Sequence, residues 1–272
     1  MNFSKLAESI KTVRDFTSEA VKHTELVSLL AETKKVPGLV DRSLYDLRII
    51  EDGRGLYDYL NGKAGYYGKM IAAPQYIAIF SGEAPGVWEN SGFLLERFRL
   101  LAWNQGLGSC WISLDQPEDL SAWVDDPPAA PHVTGLLAVG FPDKGLKKQD
   151  TLKQSSRLPL TKLLFKDRWE ESCPLDYLNT RGLTDAFHLT RYAPSWGNRQ
   201  PWRFILHEER IYLAVDCQEE YRGRIDAGVV MYYFYAAARE IGFSQQWELL
   251  SKDSPYREKF RLPKSFCLVA FY

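Results

Sequence analysis

The chain is 272 residues long, with a formal net charge of −1, 45% hydrophobic and 14% aromatic residues. That length buries a substantial core, and the balanced charge excludes the basic footprint of a nucleic-acid binder or a membrane-surface protein. The four cysteines, Cys110, Cys173, Cys217 and Cys267, form no zinc-type spacing; with no signal-peptide core or membrane-length apolar run, they read as reduced thiols of a cytoplasmic protein.

In chain order, the first residues read as an amphipathic helix, followed by the basic segment Ile10–Phe16 (IKTVRDF). Lys35–Arg48 is a Pro- and Gly-containing loop that runs into apolar residues. Gly68–Phe80 (GKMIAAPQYIAIF) carries Lys69 ahead of an Ala-Pro pair and a β-type run, Gln75–Phe80. From Ser91 a long, mostly apolar helix runs to a stop at Gly106, the usual glycine position after a helix, and a short strand-like segment ends at Trp111. Leu136–Phe141 is another β-type run, closed by a Gly140-Phe141-Pro142 turn. Lys144, Lys147 and Lys148, beside Asp143 and Asp150, read as a solvated loop. Charge rises over Thr151–Asp176, which contains Lys153–Leu160 (KQSSRLPL). A helix over Thr184–Arg191 and a strand over Trp202–His207 then bracket RYAPSWGNRQPWRF, whose Pro194 ends the helix and whose Gly197 and Asn198 tolerate positive φ. Such a loop offers backbone N–H groups and an Asn amide to a flat or anionic ligand. Arg210–Val215 and Cys267–Tyr272 are the last β-type runs.

A faint duplication organises these elements. Ser91–Ile112 laid over Ala227–Leu249 pairs Gly92 with Gly228, Ala102 with Ala238, Gly106 with Gly242 and Trp111 with Trp247, at one constant offset and without a gap. Both copies read as a helix, a glycine stop and a strand-like segment ending in Trp. Gln75–Phe80 matches Arg210–Val215, and Leu136–Phe141 matches Cys267–Tyr272. The expected organisation is a first half over 1–150, a connecting segment over 151–176 that carries Arg157, and a second half over 177–272. The fold class is α+β, two tandem copies each with a mixed or antiparallel sheet flanked by helices.

The Pro194–Trp202 stretch resembles the Pro-Ser-x-x-Asn-x-Gln-Pro-Trp signature of the FMN-dependent nitroreductase superfamily. Ile10–Phe16 resembles the family's N-terminal basic motif, with Lys11, Thr12 and Arg14 in its positions and Ile10 in place of the first Arg. Gly106–Ser113 (GLGSCWIS) is similar to Gly-Leu-Gly-Thr-Cys-Trp-Ile-Gly, and Gly68–Phe80 to a Lys-x-x-x-x-Ala-Pro run. The resemblance implies a nitroreductase-like fold in which the fused halves imitate the family's homodimer as an intramolecular pseudo-dimer, an arrangement compatible with a monomer and leaving the oligomeric state open. It implies that FMN is held by Lys11, Thr12, Arg14, Lys69, Trp111, Ile112, Ser113, Leu114, Arg157, Pro194, Ser195, Trp196 and Asn198. In that pattern Arg14 and Arg157 converge on the phosphate, Lys69 reaches the polar edge of the isoalloxazine, and the backbone at Ser113 and Leu114 faces N5.

The two halves have lost complementary pieces. The first lacks the loop's Asn and Trp at Lys35–Arg48. The second has Gly242-Phe243-Ser244-Gln245-Gln246 where the first has Gly106-Leu107-Gly108-Ser109-Cys110, and ends at Tyr272 without a basic segment. One flavin site per chain, at the boundary of the halves, is expected. The implied activity is ping-pong transfer of hydride from NAD(P)H through FMN to a small electron-poor acceptor, with no side chain assigned as catalytic acid or base and no metal ligand. The competing readings are a flavin store or redox sensor without efficient turnover, motivated by Ile10 and Leu114, and a relic that binds no flavin. The tyrosines Tyr232–Tyr235 read as helix core.

Overall fold

The computed structural model describes residues 2–114, 116–130, 132–143, 156–218, 220–251 and 254–272. The basic cluster Lys144, Lys147 and Lys148, with Asp150, lies outside the described residues, as does the Lys153–Ser155 start of the segment expected to bind phosphate. The chain divides into two compact units, a first of Ser9–Leu152 and a second of Met1–Glu8 with Lys153–Tyr272. Helix α1 (Phe3–Ser9) has the expected amphipathic character, with Phe3, Leu6 and Ala7 buried. Its start is capped by the Glu240 carboxylate, which accepts from the Phe3 and Ser4 amides.

The first unit runs α2 (His23–Thr33), β1 (Tyr45–Ile50), α3 (Gly53–Leu60), β2 (Gln75–Ser81), α4 (Val87–Asn104), β3 (Gly108–Ile112), β4 (Glu118–Asp119) and β5 (His132–Gly140). Its sheet has the order β1-β2-β5-β3, every pair antiparallel, with β4 on β5. All of β2 is buried. A strand covered on both faces needs an unbroken apolar run, and Tyr76, Ile77, Ile79 and Phe80, each 0% exposed, contribute about 1.5–3 kcal/mol apiece by burial.

The second unit continues with α5 (Leu160–Leu163), β6 (Leu164–Lys166), α6 (Leu175–Thr180), α7 (Thr184–Thr190), β7 (Trp202–His207), β8 (Arg210–Asp216), α8 (Glu220–Glu240), β9 (Glu248–Leu249), α9 (Tyr256–Lys259) and β10 (Phe266–Phe271). Its sheet has the order β6-β7-β8-β10-β9, with β6 parallel to β7 and the other pairs antiparallel. Apart from β6, this repeats the order and sense of the first sheet, with α8 entering between β8 and β9 as α4 does between β2 and β3.

The helix ends agree atom for atom. Gly106 (φ 82°) and Gly242 (φ 95°) adopt the left-handed conformation that a Cβ disfavours. One residue on, Leu107 donates to Ala102 O and Phe243 to Ala238 O, both at 3.0 Å, the closure that satisfies the last carbonyls of a helix. Beyond this point the copies differ. Ser244–Gln246 is not a strand, and β9 starts only after Trp247, which corrects the expected segment ending in Trp. Its exposed serine and glutamines lack the half-buried surface that favours a strand. Tyr232, Tyr233 and Phe234 are no more than 1% exposed and form helix core.

The cysteine expectation holds for two residues and fails for two. Cys110 and Cys173 are free and buried, and burial raises the Cys173 thiol pKa. Cys217 and Cys267 are joined as a disulfide, with Cα atoms 6.0 Å apart. The antiparallel register brings them together by setting Phe266 against Asp216 and Cys267 against Val215, a proximity invisible in residues 50 apart in sequence. No helix among the described residues is long and apolar enough to cross a membrane.

Candidate functional site

In the first unit the N-terminal basic segment crosses the end of the sheet. Val13 N donates to Ser109 O (3.0 Å), Thr17 N to Phe141 O (3.0 Å), and Phe16 bridges Pro142. Val13 sits where a side chain at position 108 would be, because a Cβ on Gly108 would meet the Val13 side chain at 2.7 Å. The glycine therefore serves close approach of the N-terminal segment, and Lys11, Thr12 and Arg14 are set beside the start of β3. Lys11 and Arg14 are exposed there.

The other end of β3 meets the loop after α3. Gly65 N donates to Ser113 O at 2.8 Å. The loop turns through positive φ at Gly62, Gly65, Tyr67 and Gly68, and a Cβ on Gly65 would lie 2.1 Å from Lys69 O. Lys69 is thus an exposed residue of a glycine-built turn, at the Ser113 end of the strand. Ser109 and Ser113 are four residues apart, roughly 13 Å at about 3.3 Å per residue. The unit so presents cations and a hydroxyl at one end of β3 and a single ammonium at the other.

The remaining residues expected on this strand divide by side chain and backbone. Ile112 and Leu114, each 3% exposed, belong to the core that contains Leu60, Ala64 and Met70. Trp111 turns its indole to α4, donating to the Glu96 carboxylate at 2.9 Å. Glu96 is fully buried and paired with Arg99. Their side chains hold the unit together, while Ser113 is half-buried.

The second unit holds the Pro194–Trp202 loop. Gly197 (56°), Asn198 (57°) and Gln200 (50°) all have positive φ, and two of these are not glycine, a cost that persists only where neighbours over-determine the backbone. Ser195 Oγ accepts from Gln200 N at 2.9 Å. Gln200 Oε1 accepts from Leu158 N at 2.8 Å, and Asn198 Nδ2 donates to Ser156 Oγ at 3.1 Å. The Arg157 guanidinium donates to Ala193 O (2.6 Å), Tyr192 O (3.1 Å) and Asn198 Oδ1 (3.0 Å). In this structure the Arg157 fork is engaged by carbonyl oxygens of its own loop.

The loop is anchored to α8 by Asp226, whose carboxylate accepts from Trp196 N at 3.2 Å. The first unit repeats the contact: Asn90 Oδ1, in α4, accepts from Leu39 N at 2.8 Å. Asn90 and Asp226 stand two residues before Gly92 and Gly228 in the aligned helices. Aligning Leu39 with Trp196 also sets Pro37 over Pro194, Arg42 over Arg199 and Tyr45 over Trp202. The anchor pair was therefore present in the repeat and went unread, because an Asn and an Asp do not match by identity. Sequence reasoning also missed Arg199 and Arg222 over Trp196, the first at a variable position of the loop and the second outside any motif.

A family model described as "Putative TM nitroreductase" matches residues 3–238. A solved structure described as a "putative nitroreductase" from Thermotoga maritima superimposes with a TM-score of 0.58 at 20% identity, over 99% of this chain and 94% of that one. A nitroreductase family protein from Clostridium difficile 630 covers 60% of this chain and 96% of its own at 20% identity and TM-score 0.46. An FMN-dependent nitroreductase from Clostridium difficile R20291 covers 57% and 96% at 18% identity and TM-score 0.41. No curated protein matches the chain.

Proposed function

The chain belongs to the nitroreductase family, and from that premise we propose that it is an FMN-dependent oxidoreductase, passing hydride from NAD(P)H through one FMN per chain to a small electron-poor acceptor. The observation that carries this reading is the donor set along β3: Lys11, Thr12 and Arg14 near Ser109, and Lys69 near Ser113. Such a set fits an elongated ligand with an anionic group at one end and a polar, electron-accepting ring edge at the other. When bound, FMN would supply the hydride chemistry.

The protein's part is binding and electrostatics. Arg14 and Lys11 would neutralise the phosphate, with the Thr12 hydroxyl as a further donor. Lys69 would favour negative charge on the ring edge and so raise the reduction potential. The main chain at Ser113 and Leu114 would border the ring. Pro194, Ser195, Trp196 and Asn198 are the remaining contributors that the resemblance names, and Arg157 would act on them by holding the loop. The Leu114 side chain lies in the core, so only its main chain would meet the ring.

The test is the visible spectrum of the purified full-length chain, with heat-released flavin counted and steady-state oxidation of NADH and NADPH measured with a dye acceptor. About one FMN per chain and saturable turnover are expected. A colourless protein that takes up no added FMN refutes the proposal, and two FMN per chain refutes the single-site reading.

A further inference from the structure

A cavity of about 180 Å³ opens in the second unit beside Trp196. Three arginines, Arg199, Arg203 and Arg222, and two aspartates, Asp216 and Asp226, are among the residues that line it. Arg199 and Arg222 lie 4.4 and 4.5 Å from the Trp196 ring centroid, so one indole holds two like charges by cation–π attraction. Arg203, on β7, is fixed by donation to Gln200 O (3.1 Å) and Trp202 O (2.6 Å). Of the carboxylates, Asp226 accepts from Trp196 N at 3.2 Å and Asp216 from Gln218 N at 3.1 Å, and Asp216 also attracts the Arg203 guanidinium. A Cβ on Gly223 would meet Asp216 O at 2.6 Å, so the glycine lets the first turns of α8 close on the end of β8 and carries Arg222 to the cavity.

Among the described lining residues arginines outnumber aspartates three to two, and this excess and the size decide what fits. Whole-ligand pockets measure roughly 300–1,000 Å³, so this cavity takes a group rather than a nucleotide. Arginine forks match planar or tetrahedral oxyanions through paired N–H donors. We propose that the cavity walled by Arg199, Arg203 and Arg222 beside Trp196 binds a small oxyanion, the phosphate or carboxylate group of a substrate. The word substrate rests on the oxidoreductase reading; the anion site rests on the cavity and its arginines alone.

The test is calorimetric titration of inorganic phosphate into the full-length protein as purified, at low ionic strength, with flavin content and far-UV circular dichroism recorded for every variant. One phosphate site per chain is expected, weakened about tenfold or more in Arg222→Gln and in Arg203→Gln, and weakened less in Arg222→Lys. Arg199→Gln, at an exposed position, is the variant that tests the site if the other two fail to fold. Absence of saturation at millimolar phosphate overturns the proposal, and so does equal affinity in the variants. Phosphate binding that disappears on loading with FMN also overturns it, since the anion would then occupy the cofactor's own place. None of these readouts needs turnover, so an inactive protein leaves them decisive. In an active protein, a KM rise in Arg222→Gln for NADPH but not NADH assigns the anion to the 2′-phosphate of the donor. A rise for 4-nitrobenzoate but not nitrobenzene assigns it to the acceptor. Weaker phosphate binding with neither KM moved overturns the assignment to a substrate.

Discussion

Arg157→Ala separates two roles that sequence and geometry assign differently. The resemblance makes Arg157 a phosphate ligand, which would matter only when flavin is bound. The structure makes it a brace, with donors on Tyr192 O, Ala193 O and Asn198 Oδ1 at 2.6–3.1 Å. Hydrogen bonds from a charged donor contribute about 1.5–3 kcal/mol when well shielded. The side chain is only half-buried, and one flexible stem orders all three bonds, so about 1 kcal/mol each, or about 3 kcal/mol in total, is the reasonable loss. At about 2–4 °C per kcal/mol for a chain of this order of size, the flavin-free protein should lose roughly 6–12 °C in melting temperature. The assay is thermal denaturation of the flavin-free full-length protein, followed by far-UV circular dichroism. Arg157→Lys keeps the charge but cannot span three acceptors with one ammonium, and should recover no more than about a third of the loss. A flavin-free Arg157→Ala protein that melts within about 2 °C of the parent, yet no longer holds flavin, would refute the brace and restore the phosphate role.

Gly65→Ala should destabilise by more than about 2 kcal/mol, because it forces a Cβ to within 2.1 Å of Lys69 O at a φ of 91°; chemical denaturation measures it, and parental flavin affinity in the folded fraction would contradict a link between this turn and Lys69. Asp226→Asn keeps an acceptor for Trp196 N, as Asn90 does for Leu39 N, and should cost under about 1 kcal/mol, whereas Asp226→Ala should cost about 1–3 kcal/mol; equal losses would show that the carboxylate charge, not the hydrogen bond, anchors the loop. Thiol titration of the unfolded, unreduced protein should find Cys110 and Cys173 reactive and Cys217 and Cys267 not until reductant is added; four reactive thiols without reductant would refute the pairing. Hydrogen bonds from the Ser43 side chain and amide hold the Asp41 carboxyl below its ordinary pKa, so its contribution to stability is complete above the ordinary carboxylate range and is lost as pH falls through the lowered value; NMR titration should find that pKa closer to ordinary in Ser43→Ala.

Much of the fold was legible because its signals are local. Pro194 after an apolar helix, the glycines at 106 and 242, and the apolar run at Gln75 each act on their own few residues, and the elements fall where those residues place them. The duplication was legible for the same reason, since helix, stop and following segment recur in one frame. It failed at Ser244–Gln246, where the aligned position of a strand is occupied by polar residues with no burial to favour pairing. The basic motif at Lys11–Arg14 and the loop at Pro194–Asn198 were visible as motifs, but not what each side chain touches.

Sequence alone therefore determined the elements, the α+β class and the family, because propensity, periodicity and motif spacing are properties of neighbouring residues. Tertiary structure alone decided that Gly108 makes room for Val13, that the indole of Trp111 serves Glu96, that the fork of Arg157 braces its own loop, and that Cys217 lies against Cys267. It also gathered Arg199 and Arg222 over one tryptophan, with Arg203 lining the same cavity. Each of these is a contact set by strand register, helix docking or a loop's path, and the geometry that creates it exists only once the chain has closed on itself.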